Sequence, residues 1–372
     1  MDKIALILGT NAGQADIINY LKETGWQVQS CGHKKEGPGC ELAHHFHLVN
    51  TTDVVAVKNL AIEIKADIVY SVSSDINIRT ATAVSEVLNL PVLASSQFID
   101  LFHYKDRLRN FLNQHNISTV GFKKVADTSE ATEWNTFPCV VKPVDSQGQR
   151  GVSLVTNKSD FKHTLEEALK SSSSGTAIIE EYLQGVEFST NMIVQNGKVL
   201  INEFTERLVH GTHLFGLPKG HSIPARDISR ETILEAAKMT ELLVEKLQIK
   251  NAVLYVQMVA TQQGPKIIEV APRLDGCHIW RLLLHARNYD LREYTVNCLT
   301  GNDAGVAIPC NIPDQPNYTL MFNQMPTGNT FLRERNPVPE GTVYNEYRYK
   351  DGEEVQPING KLEVVGYYVF KG

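Results

Sequence analysis

Short apolar runs alternate with amphipathic stretches over the first 95 residues. Residues 4–8 (Ile-Ala-Leu-Ile-Leu) read as a buried strand, 9–14 as a turn and 15–23 as a helix. Residues 26–30, 47–50 and 67–71 read as further strands, with helices over 54–65 and 77–88. That rhythm predicts a parallel sheet with helices on both faces, whose ligands bind at the carboxyl ends of the strands. The loops 9–14 and 73–75 lie at such ends. The first lacks the G-x-G-x-x-G spacing and is not a dinucleotide fingerprint.

Leu90-Pro91 closes this unit, and 95–115 reads as helical linker and helix. An α+β pattern follows. Strands are expected at 138–143 and 151–155, an amphipathic helix at 159–170 and a strand at 176–179. Segments 187–194 and 198–204 flank Asn196-Gly197, a dipeptide suited to a hairpin turn. A long helix at 230–247 precedes a second hairpin over 253–273, and helices are expected at 279–286 and 291–299. From about residue 306 the chain is punctuated by Pro and Gly and rich in strand formers. The expected division is 1–95, 96–305 and 306–372.

Composition narrows the function. A chain of 372 residues exceeds one ordinary core, and 42% hydrophobic with 21% charged residues describes a soluble globular protein. A net charge of −6 argues against a duplex nucleic-acid binder. No apolar run approaches the ~20 residues of a membrane span, and no secretory signal opens the chain. The six cysteines have no CxxC spacing, as expected of reduced thiols in a cytoplasmic protein.

The second hairpin carries the chemistry. Centring its turn on Gln263 sets Gln257 opposite Glu269, with Cβ atoms roughly 5 Å apart. An amide oxygen and a carboxylate so placed can share a hard cation such as Mg²⁺. Arg273 follows on the same face, and divalent ligands beside a planar cation suit a polyphosphate. Upstream, Val140-Val-Lys142-Pro ends a strand and runs into the loop Ser146-Gln-Gly148-Gln-Arg-Gly151, whose amides can cradle phosphate oxygens. Lys105 opens a helix, with Arg107 and Arg109 nearby. Glu180-Glu181-Tyr182-Leu183 leaves a strand where exposed backbone can meet an adenine, and Glu187 can accept from ribose hydroxyls. Each motif has an ordinary alternative: a polar hairpin, a glycine turn, a solvated helix face or a strand end.

Taken in order, these segments resemble the ATP-grasp superfamily of carboxylate–amine ligases, and the N-terminal sheet looks like its pre-ATP-grasp domain. The resemblance covers nearly all of the chain but the last sixty or so residues. It implies ATP between two α+β subdomains, with Lys105 and Lys142 on phosphates and residues 146–151 as a lid. It implies adenine contacts at Glu180, Glu181 and Leu183, ribose at Glu187, Mg²⁺ (or Mn²⁺) on Gln257 and Glu269, and charge stabilisation by Arg273. The family pattern Glu-x-Asn-x-Arg reads Glu269-Val-Ala271-Pro-Arg273 here, so one usual metal ligand is missing. Asp275 or water could take its place.

Arg207, beside the Gly-rich stretch 211–220 with Glu203, His210, His213 and His221, is the expected carboxylate holder, since its fork matches two oxygens. His44, His45 and His47 read as loop histidines, and Trp280 beside His278 and Arg281 as packing. The expected activity joins a small carboxylate to an amine through an acyl phosphate, in the cytoplasm, without nucleic-acid or membrane partners and with a homodimer allowed for. Two rivals stand beside it: activation of bicarbonate or formate in nucleotide metabolism, and ATP binding with weak or no catalysis.

Overall fold

The computed structural model describes residues 3–211, 214–302, 316–357 and 362–372. His213, Cys310 and the expected start of the tail at 306 lie outside them. The N-terminal unit runs β1 (Ile4–Leu8), α1 (Ala12–Glu23), β2 (Gln27–Gly32), α2 (Pro38–Leu42), β3 (His45–Leu48), α3 (Val54–Glu63), β4 (Ile68–Tyr70) and α4 (Asp75–Val87). Its strands are parallel in the order β3-β2-β1-β4. Helix α1 begins three residues before its expected start. Asn11 accepts from the amides of Gly13 and Gln14 through its side chain, so a segment read as a turn is an N-capped first turn.

Helices α5 (Ser96–His103) and α6 (Lys105–Gln114) are separated at Tyr104, whose extended backbone ends one helix and starts the other. A small antiparallel sheet follows from β5 (Phe122–Val125), β6 (Cys139–Pro143), β7 (Ser153–Val155), α7 (Lys158–Ser171) and β8 (Ala177–Glu181), in the order β5-β8-β6-β7. Helix α7 buries Phe161, Leu165 and Ala168 against it.

The chain then builds a large antiparallel sheet. It comprises β9 (Val186–Gln195), β10 (Lys198–Val209), β11 (Pro218–Ile223), α8 (Arg230–Lys246), β12 (Ala252–Thr261), β13 (Gly264–Ala271), α9 (Ile279–Arg287), α10 (Leu291–Thr300), β14 (Tyr318–Pro326), β15 (Thr342–Tyr347) and β16 (Leu362–Lys371). The strand order is β13-β12-β9-β10-β11-β14-β16-β15. Two features depart from expectation. The stretch read as a Gly-rich loop ends in β11, and the C-terminal strands continue the large sheet through β11–β14 pairing. One face packs on α8, with Leu254, Val256, Met258 and Val270 buried together. The other carries Tyr255, Ala271 and Ile193 into a core shared with α9, α10 and the N-terminal sheet residues Ala5, Ile7 and Val28.

Candidate active site

The second hairpin reaches the expected pairing by an unexpected route. Thr261 faces Gly264, so the turn is the two residues Gln262-Gln263, one position tighter than a turn centred on Gln263. A register shift then leaves Ile268 extra on β13, between the pairs Met258–Ile267 and Gln257–Glu269. The bulge restores the register, and Gln257 and Glu269 are direct cross-strand partners. Alternation sets them with Tyr255 and Ala271 on the face away from α8.

Arg109 secures that bulge. Its guanidinium donates to the carbonyls of Ile267 and Ile268 and pairs with Glu180, Nε to Oε1 at 2.6 Å. Lys142 takes the other oxygen of Glu180 at 2.6 Å. All three side chains are almost wholly buried: 1% of Arg109 and 6% of Lys142 and Glu180 remain exposed. Burial alone would raise the Glu180 carboxyl, but the Arg109 guanidinium and Lys142 ammonium outweigh it and hold the group at about 2. For Lys142 burial wins, and its ammonium lies below the ordinary value despite Glu180. In the sequence Arg109 stands out only as a cation near Lys105. The available signal was its place four residues after Lys105, on the same face of α6.

The glycine loop is docked. Lys105 Nζ donates to the Ser146 carbonyl at 2.6 Å, the Asp75 amide donates to Gln147 Oε1 at 2.8 Å, and Gln149 Nε2 donates to the Gly216 carbonyl at 2.7 Å. Gly148, Gln149 and Gly151 all have left-handed backbone. A Cβ on Gly151 would also meet Pro143 Cγ at 2.8 Å, so glycine is required there.

Arg273 is buried and pairs with Asp75, Nε to Oδ1 at 2.7 Å, joining β13's end to the first turn of α4. Glu187 accepts from Arg207 Nε at 3.1 Å and from Gln257 Nε2 at 2.8 Å. A ribose contact by Glu187 would therefore share it with these partners. The second bond fixes the Gln257 amide and leaves its oxygen as the end available to a cation. Arg207 spends Nη2 on the Gly216 carbonyl at 3.1 Å, while Nη1 is buried with no hydrogen bond among the described residues. A carboxylate would meet one nitrogen of Arg207, not the two-pronged fork expected. Glu181 accepts from the Gly121 amide at 2.8 Å, and Leu183 is half-buried beyond the strand end.

Lys105, Ser146, Asp75 and Glu269 line one cleft. The adenine candidates Glu180, Glu181 and Leu183 do not line it. As a donor set for Mg²⁺, one carboxylate and one amide oxygen fit a hard cation that keeps several waters. Among the described residues no group of three or more His, Cys, Asp or Glu could hold a metal. Asp275 Oδ1 accepts from the amides of Cys277 and Ile279 at the start of α9, and among the described residues its Oδ2 is buried without a hydrogen bond. Ala271, 2% exposed, packs in the shared apolar core. Ala271→Asn is expected to lower the melting temperature in EDTA, since its amide is buried without a partner, and to regain part of the loss with Mg²⁺. Thermal unfolding in both buffers checks this. An equal loss in both would place residue 271 away from any cation.

The other tempting groups are structural. His44 Nδ1 accepts from the Val28 amide, and His47 bonds Gln29. His278 and Trp280 both donate to Asp16 of α1, at 2.6 and 2.8 Å. Arg281 stacks on Trp280 and Tyr344. His221 is fully buried beside Thr205, and His210 bonds Gln324.

Residues 135–280 match the family model of the ATP-grasp domain. The chain is 24% identical over 252 residues to a formate-dependent phosphoribosylglycinamide formyltransferase of Prochlorococcus marinus (strain NATL2A), covering 66% of this chain and 61% of that one. It is 24% identical over 318 residues to a phosphoribosylamine–glycine ligase of Methanocaldococcus jannaschii, covering 76% and 70%. The chain thus spans about three-fifths of the formyltransferase's length. Among solved structures, an L-amino acid ligase from Bacillus licheniformis superposes with a TM-score of 0.80 at 16% identity, covering 100% of this chain and 93% of the other. An ADP complex of N5-carboxyaminoimidazole ribonucleotide synthetase gives 0.78 at 18%, covering 100% and 92%. Residues 135–280 thus match the ATP-grasp domain, and the Rossmann-like parallel sheet with its small and large antiparallel sheets has the fold of these solved structures.

Proposed function

We propose that this protein is an ATP-dependent carboxylate–amine ligase acting on an amino acid or another small carboxylate. The observation that carries the reading is the cleft that gathers Lys105, the glycine loop at Ser146 and the Glu269 end of the cation pair. In the reaction, a carboxylate oxygen attacks the γ-phosphorus of ATP and ADP leaves. The amine nitrogen then attacks the carbonyl carbon of the acyl phosphate. Phosphate departs with the former carboxylate oxygen, the nitrogen loses a proton and an amide remains.

The residues position and neutralise more than they react. Lys105 and Lys142 would exchange the Ser146 carbonyl and Glu180 for phosphate oxygens. Residues 146–151 would close over them. Arg273 would meet charge developing on the transferred phosphoryl group. Arg207 would hold a carboxylate through Nη1. Gln257 and Glu269 would hold Mg²⁺ or Mn²⁺, which neutralises polyphosphate charge when bound. The backbone at Glu180, Glu181 and Leu183 would take the adenine. We further propose the segments 1–95, 96–305 and 306–372, the last extending the large sheet of the second, and a cytoplasmic setting. Among the described residues no helix is long and apolar enough to cross a membrane.

A screen of carboxylate and amine pairs for ADP release, amino acids first, tests the reading. The expected result is release that requires both substrates. Release with bicarbonate or formate would favour the second reading, which the names of the curated relatives support. ATP binding without release would favour a catalytically weak protein, the reading motivated by Ala271.

The phosphate assignment has its own test. Lys142→Ala is expected to weaken ATP by about tenfold or more, the size of one charge-assisted contact, with AMP affected much less. Lys105→Ala should behave likewise. Calorimetry showing equal losses for both nucleotides would remove the assignment.

A further inference from the structure

Two buried charges, Arg207 of β10 and Asp275 just beyond β13, each keep one atom without a partner. Arg207 Nη1 and Asp275 Oδ2 are closed to water and make no hydrogen bond among the described residues. Their other atoms are committed. Arg207 donates Nε to Glu187 at 3.1 Å and Nη2 to the Gly216 carbonyl at 3.1 Å. The same Glu187 oxygen accepts from Gln257, and the same Gly216 carbonyl accepts from Gln149 of the glycine loop. Nη1 therefore belongs to a group fixed both to the proposed cation pair and to the proposed phosphate lid. Asp275 caps the start of α9 through Oδ1, and burial raises its carboxyl above the ordinary value. Both charges act on the Cys277 thiol and on the Tyr255 hydroxyl, so the four side chains surround one space. Arg207, Asp275 and Tyr255 are at most 8% exposed, and Cys277, half-buried, is the member that reaches solvent.

We propose that this space is the subsite of the substrate being activated and that the substrate is an amino acid, with Arg207 Nη1 taking its carboxylate and Asp275 Oδ2 its ammonium. The proposal rests on the ligase reading for its place in the reaction and narrows its substrate. An unpaired donor on a cation and an unpaired acceptor on an anion suit a zwitterion. A simple carboxylate would leave Oδ2 as a lone buried acceptor, and a simple amine would leave Nη1 unmet, both unfavourable at this depth. The tie from Arg207 through Glu187 to Gln257 sets the bound carboxylate on the side of the proposed cation. Bicarbonate and formate carry no ammonium, so Asp275 separates this substrate from those of the second reading.

Calorimetry on the full chain, with and without saturating Mg·ADP, tests this with alanine, leucine, phenylalanine and glutamate. Each is set beside the acid that lacks its amino group: propionate, 4-methylpentanoate, 3-phenylpropionate and glutarate. At least one amino acid is expected to bind roughly tenfold or more tighter than its deamino partner, the margin of one charge-assisted hydrogen bond. Asp275→Asn keeps an oxygen for the α9 cap and removes the charge. It should erase that margin, with ADP binding as the folding control. Arg207→Gln should weaken amino acid and deamino acid alike. Absence of any amino acid that outbinds its deamino partner, or a margin that survives Asp275→Asn, would each overturn the proposal. Failure of wild type to bind Mg·ADP would remove the ligase reading instead. The margin is read without nucleotide as well, so the two stand or fall separately.

Discussion

Glu269→Gln is expected to lower turnover by about two to three orders of magnitude while nucleotide affinity changes little. The substitution keeps the shape of the side chain and its cross-strand position opposite Gln257. It removes the one full negative charge of the pair proposed to hold Mg²⁺. Loss of a preorganised group that balances transition-state charge costs about 10²–10³ in rate. The proposed adenine contacts are backbone groups at Glu180, Glu181 and Leu183, which the substitution leaves in place, so ADP affinity should persist. Steady-state ADP release at limiting Mg²⁺, paired with ADP calorimetry, checks both halves. Near-normal turnover would mean that the cation is held elsewhere.

The largest expected effect on stability comes from Glu180→Gln. Arg109 and Lys142 would be left with no full counter-charge in a site almost closed to water. Removing one partner from a buried ionic cluster costs about 3–5 kcal/mol. The Arg109 contacts that tie down the Ile268 bulge would be disturbed with it. The same carboxylate also sets a pH dependence. Its folded value of about 2 lies below the ordinary 4.5, so its contribution is fully present above about pH 4.5 and is lost as pH falls through 2. The gap corresponds to about 3 kcal/mol. Urea unfolding of wild type between pH 6 and 3 should show the decline. Glu180→Gln should start lower and fall less steeply. Equal slopes would mean that other carboxylates govern acid stability.

Much of this site was legible because its parts are local. A lysine ending a strand, a glycine loop after it and an amide facing a carboxylate across a hairpin all follow from alternation and turn chemistry. The pairing of Gln257 with Glu269 was nonetheless reached through a turn one residue too wide. The bulge at Ile268 cancels that error, and bulges leave little trace in side-chain patterning. What stayed hidden was long-range. Asp75 and Arg273 are 198 residues apart and Asp16 and His278 262, so nothing in their neighbourhoods announces the pairing. Arg109 looked like one more solvated cation, although its position relative to Lys105 placed it on a buried face. The joining of β14 to β11 was hidden for the same reason: edge pairing between distant strands depends on which edge remains free. Asn11 shows the opposite failure. Its capping role was local and readable, and the glycines beside it drew the reading toward a turn.

The central claim is phosphoryl transfer to a carboxylate, and oxygen tracing tests it most directly. The protein would be incubated with ATP, Mg²⁺, an amine and amino acids labelled with ¹⁸O in their carboxyl groups. Mass analysis would then follow the inorganic phosphate. The expected result is one ¹⁸O atom in each phosphate released, appearing with ADP and only when carboxylate and amine are both present. ADP released with unlabelled phosphate would contradict an acyl phosphate and leave hydrolysis in its place.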